Sequence, residues 1–162
     1  MKLKSKLIEF LIVHDLILIR IRWRKSISGV GRMFNDVFHM LDKDERVKLS
    51  KMMYSWGLED ADEAVKTLGI ERNLHGCAIA LMGMHRIFGI KSHIVEENAN
   101  EIKIHATKCM WKNKKGWTPE VCASIDGYER GMVEGINNNI KHYYTKRRSG
   151  GDKFCELVLK KS

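Results

Sequence analysis

Three thiols in the second half of the chain carry its clearest chemistry. Cys109 lies near the end of "IHATKCMW" (104–111), Cys122 follows "WTPEV", and Cys155 opens "CELVLKK". The first stretch alternates like a strand. Thr118 followed by Pro119 is an N-cap and first-turn pair, which puts Cys122 in the first turn of a helix. A helix N-terminus favours a thiolate, and three thiolates from separate elements can meet around one zinc ion. The metal set expected on this reading is Cys109, Cys122 and Cys155. Their spacing is not a CxxC knuckle, so the plainer alternative is three scattered small hydrophobic residues.

A fourth ligand is harder to place. His105 shares a strand face with Cys109, but four residues of strand cover roughly 13 Å. Two ligands of one zinc each sit about 2.0–2.3 Å from it, so His105 and Cys109 cannot share an ion on an unbroken strand. Asp126 is better placed, one helical turn after Cys122 on the same face. His142, Tyr144 and water are the other candidates. Cys77, inside an apolar helix, reads as a buried and inert thiol.

The same helix bears "GYERGMVEGIN", in which Gly127, Gly131 and Gly135 recur every fourth residue. Glycine costs up to about 1 kcal/mol each in a helix interior, so a bare stripe needs a reason. Tight helix packing supplies one, and a ligand lying on the stripe supplies another. A membrane dimer of the GxxxG kind is excluded by Glu129, Arg130 and Glu134.

These residues must be positioned by helices first and a mixed second half. The stretch from Leu3 to Arg24 fits a helical stripe, although Ile19, Ile21 and Trp23 alternate with arginines like a strand. A second helix is expected over about Ser28–Met40. Asp42 with Glu45 looks like a capping box for a helix closing near Gly57. Asp60 with Glu63 repeats the device for a short helix ending at Gly69. "NLHGCAIALMGMHRIFG" (73–89) is apolar on nearly every face and belongs in the core. Its Met82, Met84 and Phe88 are expected to line a cavity, and His75 and His85 read as satisfied core histidines. "IKSHIVEE" and "EIKIHATKCMW" flank "NAN" as a β-hairpin. A helix should run from Pro119 to about His142. In the last strand Cys155, Leu157 and Leu159 should face one way, with Phe154, Glu156 and Val158 facing the other.

At 162 residues, with one proline and no linker-like stretch, the chain reads as a single domain over 1–162. The N-terminal apolar run is broken by Glu9, His14 and Asp15 and followed by Arg20, Arg22 and Arg24. It falls short of the roughly 20 apolar residues of a span, so a cytoplasmic chain without a membrane partner is expected. The net charge of +9 raises a nucleic-acid reading. The basic residues are dispersed, with no groove-reading motif, which places that reading last. Catalytic signatures such as G-x-S-x-G, a phosphate-binding glycine loop or H-E-x-x-H are absent from the sequence.

The region 90–162 resembles the 4-vinyl reductase domain family. The resemblance rests on "CASIDGYERGMVEG", then a short strand, then "GGDKFCELVLKK", with Cys122, Gly151, Asp152 and Cys155 in the matching frame. It is also similar to L-2-amino-thiazoline-4-carboxylic acid hydrolase-like proteins, whose additional upstream cysteine corresponds to Cys109. The resemblance implies an α+β fold with a helical N-terminal half packed on a twisted antiparallel sheet formed mainly by the C-terminal half. It is the architecture of haem-based nitric-oxide sensors and Golgi transport-particle subunits. It further implies a cavity for a small apolar or aromatic molecule, a homodimer and, in several members, zinc. Sensor-type members carry Glu-x-x-Cys where this chain has Tyr144 and Arg147, so half of that metal set is missing unless Cys109 replaces it. The leading expectation is a small-molecule-binding domain with a structural metal. The alternative is a metal- or thiol-dependent hydrolase of a cyclic amide-like or thiazoline substrate.

Overall fold

The computed structural model describes residues 19–112 and 115–162, with side chains from residue 23. Four helices come mostly first: α1 (Ile19–Met40), α2 (Lys43–Leu68), α3 (Leu74–Ile87) and, later, α4 (Pro119–Ile136). The strands are β1 (Lys91–Glu97), β2 (Glu101–Lys108), β3 (Ile140–Lys146) and β4 (Cys155–Lys161), with a 3-10 turn at Arg148–Gly150. They form one antiparallel sheet in the order β1-β2-β4-β3. The α+β fold is the one expected. Its core, including Leu81, Ile104, Val133, Ile140, Leu157 and Leu159, lies between α3, α4 and the sheet.

Most elements follow from local sequence. The Asp42–Glu45 capping box is reciprocal: Glu45 N–H donates to Asp42 Oδ1 at 2.8 Å and Asp42 N–H to Glu45 Oε2 at 2.9 Å. The hairpin turns through Asn98, whose Oδ1 accepts from the N–H groups of Asn100 and Glu101. On β4, Leu157 and Leu159 enter the core and Cys155 packs against it. Gly69 ends α2 at φ 61°, the left-handed cap that glycine adopts without strain.

Three boundaries differ from expectation. The described part of the Leu3–Arg24 stretch, from Ile19 on, is helix and continuous with the helix expected from Ser28, while residues 3–18 lie outside the described residues. Second, α2 neither closes near Gly57 nor restarts at Asp60. It runs 26 residues to Leu68, and Asp60 accepts a hydrogen bond from Tyr128 Oη at 2.6 Å instead of capping. Third, α4 stops at Ile136 rather than about His142, with Asn137 extended at φ −155°. Beyond it, "IKHYYTK" alternates inward Ile140 and His142 with outward Lys141 and Tyr143, and strand pairing to β4 wins.

The glycine stripe packs. A methyl group at Gly131 would lie 2.1 Å from Tyr54 O of α2, and one at Gly127 would lie 2.5 Å from Ser50 O. From the other side, a methyl group at Gly57 would stand 2.1 Å from Tyr128 O. The two helices therefore touch backbone to backbone, and α2 occupies the stripe.

No described helix is long and apolar enough to cross a membrane.

Gly131→Ala should lower stability by about 2 kcal/mol in urea denaturation, because overpacking outweighs the gain in helix propensity. Gly29→Ala, mid-helix with nothing within 4 Å, should raise it by up to about 1 kcal/mol. A stabilised Gly131→Ala would overturn the close-contact account.

Candidate functional site

With one face of α4 committed to α2, the residues at i, i+3, i+4 and i+7 from Cys122 turn toward the sheet. Cys122, Ile125, Asp126 and Glu129 line a cavity of about 60 Å³. Ala106 at the end of β2, Tyr144 and Arg147 around the end of β3, and Cys155 opening β4 supply the sheet side. The β2–α4 loop closes it with Cys109, Trp111 and Trp117. All three expected thiols thus reach one cavity. Room of this size admits a few waters, since one water needs roughly 10–15 Å³, and it is well below the ≈ 300–1,000 Å³ of a drug-sized ligand site.

Trp111 is fixed on its other side by α1. Its ring lies where a side chain at Gly31 would be, 2.2 Å from that position. Its Nε1–H donates to Ile27 O at 3.1 Å. Phe34 and Phe38 of α1 join the same apolar cluster with Trp117 and Val121.

Cys122, Cys155 and Cys77 are protected rather than activated. Burial pushes Cys122 up to about 11, reversing the thiolate expected at a helix N-terminus. Trp117 Nε1–H donates to its Sγ at 3.0 Å. Cys155 is also pushed up by burial, with Arg148 N–H donating to its Sγ at 3.3 Å. Cys77 is fully buried and pushed up to about 12, an inert thiol as expected. Among the described residues, no three His, Cys, Asp or Glu side chains stand close enough together to hold a metal ion.

Cys109 lies just past the end of β2, where strand alternation no longer governs direction. It faces the cavity with Ala106, whereas His105 remains on the outer face. There His105 Nε2 meets Glu156 Oε2 at 2.7 Å and its ring stacks on Phe154. The shared face assumed for His105 and Cys109 is thus lost, and His105 stays out of the site. Of the expected cavity-lining residues, Met84 and Phe88 line a separate groove between α2, α3 and α4 instead, and Met82 packs against the core.

The polar wall was less legible in sequence. Glu129, 4% exposed, sits between three elements. His85 Nε2 of α3 lies 3.2 Å from its Oε1, and Tyr144 Oη of β3 donates to its Oε2 at 2.7 Å. His142 Nε2 comes within 3.2 Å of Oε2, a charge contact outside hydrogen-bond geometry. His85 is a satisfied core histidine, as expected, with Nδ1 2.9 Å from Ser92 Oγ. Burial alone would push Glu129 up, but the two imidazoles outweigh it and hold the carboxyl below its ordinary range. Next to it Asp126 pairs with Arg147 Nη2, whose guanidinium lies 4.3 Å over the Tyr144 ring. Burial dominates at Asp126 and pushes it up to about 6. The spacing of Cys122, Asp126 and Glu129 on one helix face could have found Glu129.

Solved structures of similar fold include a trafficking protein particle complex subunit 3 from Naegleria fowleri, covalently bound to palmitic acid. It shares 17% identity at a TM-score of 0.62, over 88% of this chain and 96% of that one. Another is the phenol-responsive sensory domain of the transcription activator PoxR with phenol. It shares 16% identity at a TM-score of 0.58, over 83% of this chain and 74% of that one. These likenesses show the fold, which is the transport-particle and sensor architecture. No family model and no curated protein matches the chain.

Glu129→Gln should cost about 3 kcal/mol, the range for breaking a buried charge cluster. Because the folded carboxyl lies below its ordinary 4.5, the unfolded chain takes up that proton first as pH falls. The contribution is therefore full above 4.5 and lost as pH drops toward the folded value. Asp126 has the opposite sign, favouring the fold below 3.8 and less so as pH rises through about 6. Denaturant midpoints from pH 3 to 7 should show a weakened acid limb in the variant. An unchanged limb would refute the assignment.

Proposed function

We propose that this domain binds a small apolar or aromatic molecule in the cavity between α4, the sheet and the Trp111–Trp117 loop. On this reading it is a sensor- or carrier-like module of the 4-vinyl reductase type. The observation that carries it is a cavity with two indoles, Ile125 and Ala106 on one side and a closed polar network on the other. The bound phenol and palmitic acid of the two structural neighbours support the same ligand class. Because the cavity is small, ligand entry requires the wall to open. Tryptophan fluorescence titrated with phenol should show a saturable change from the two indoles. Ala106→Leu, which adds three carbons at the wall, should abolish it while keeping a cooperative melt. A flat wild-type titration would sink the reading.

A second reading is favoured by the three thiols sharing one cavity. Here zinc is held by Cys109, Cys122 and Cys155 within a homodimer. The donor chemistry suits zinc, but the side-chain positions do not. The thiols would have to turn toward one another, and Cys122 and Cys155 would have to shed protons that burial now holds. The dimer has a candidate face in Val30, Met33, Val37 and Met40, an exposed stripe along α1 at heptad spacing. Native mass spectrometry of protein purified without chelator reads both. Masses of one metal-free chain would dismiss both the zinc and the dimer. The hydrolytic alternative is disfavoured for Cys122, whose thiol stays protonated at neutral pH.

A further inference from the structure

Three residues of the cavity wall have a second side. Asp126, Tyr144 and Arg147 also line an outward depression of about 290 Å³, together with Arg130, His142 and the small residues Ala123 and Gly127. The Asp126–Arg147 pair is therefore the partition between a mainly apolar interior and a polar vestibule. The side chains of Arg147 and Asp126 are 25% and 19% exposed, so the partition is reached from solvent.

The vestibule is cationic in character. Two guanidiniums, Arg130 and Arg147, face a single carboxylate, Asp126, because Glu129 lies behind the wall and lines only the inner cavity. The His142 side chain is almost wholly buried at the same place, its Nε2 turned to Glu129 Oε2 at 3.2 Å. Arginine presents a planar fork that matches a carboxylate in two-point contact.

We propose that the ligand class is an amphiphilic monocarboxylate, whose ring or short chain enters the inner cavity while its carboxylate takes the place of Asp126 on Arg147. This inference rests on the pocket reading above and names the ligand class for the same site. The ligand's carboxylate brings one negative charge, and the displaced Asp126 carboxyl, which stays in the wall, takes up one proton from solvent, so the charge balance of the wall is kept. Asp126 is suited to yield, since burial already disfavours its charged form. Opening the pair also joins the inner cavity to the vestibule, which supplies the room that the small inner cavity lacks. Arg147 stays over the Tyr144 ring and keeps its position while its partner changes.

The test compares benzoate with benzyl alcohol, similar in size and differing in charge, by tryptophan fluorescence titration of the full chain. Benzoate should bind at least tenfold more tightly in the wild type. Arg147→Gln should erase that preference, bringing the benzoate and benzyl alcohol affinities within a factor of two of each other. Asp126→Asn, which frees Arg147 of its competitor, should strengthen benzoate binding several-fold, and it decides the matter if Arg147→Gln does not fold. Equal or weaker binding of benzoate beside measurable benzyl alcohol binding overturns the carboxylate assignment alone. A benzoate preference that survives Arg147→Gln, or benzoate binding that Asp126→Asn leaves unchanged or weakens, overturns the role of the pair. Silence from both probes overturns the pocket reading as well.

Discussion

The contact of α2 with α4, backbone against backbone, is the constraint from which the site follows. Gly57 on one helix and Gly127 and Gly131 on the other leave no room for a methyl group between them. The rotation of α4 about its axis is thereby set. Once it is set, Cys122, Asp126 and Glu129 have one direction available, toward the sheet. The helix propensity lost at the glycines is offset by burial and dispersion along the contact. Chemistry on one face of α4 depends on the absence of side chains on another.

Within the site, polar and apolar halves are kept apart by which elements supply them. The β2–α4 loop and β2 contribute Trp111, Trp117 and Ala106, while α3, α4 and β3 contribute His85, Glu129 and Tyr144. Glu129 is tolerated in the interior because imidazoles and a phenol surround it, the condition under which a buried charge survives. The thiols sit between the halves, and burial holds Cys122 and Cys155 protonated. Their surroundings suit packing against an apolar group better than attack on a ligand.

Much of this was legible in the residues. The every-fourth glycine pattern announced close helix packing, and the two-residue alternation of the last strand placed Leu157 and Leu159 inside. The three cysteines were marked out together and do share a cavity. What failed were inferences from local motifs that tertiary contacts override. Asp60 with Glu63 has capping-box spacing, but Asp60 serves Tyr128 across the helix interface. Alternation was carried one residue too far at Cys109, which lies beyond the strand. The cationic partition was hidden for another reason. Asp126 and Arg147 are 21 residues apart, and no periodicity links a helix turn to the end of a neighbouring strand.

The order of strands also bears on how the chain must come together during synthesis. β4 is the latest strand in sequence, yet it lies inside the sheet, with β2 on one side and β3 on the other. β2 and β3 meet only through it, so hairpin and helices emerge from the ribosome without the strand that unites them. Such non-local pairing slows folding and leaves strand edges open in the interval. The waiting edge of β2 presents Ile102 and Ile104 beside Lys103, and the edge of β3 presents Lys141 beside Ile140 and His142. Lysines at these positions discourage the wrong neighbour until residues 155–161 arrive, and with them the last wall of the cavity.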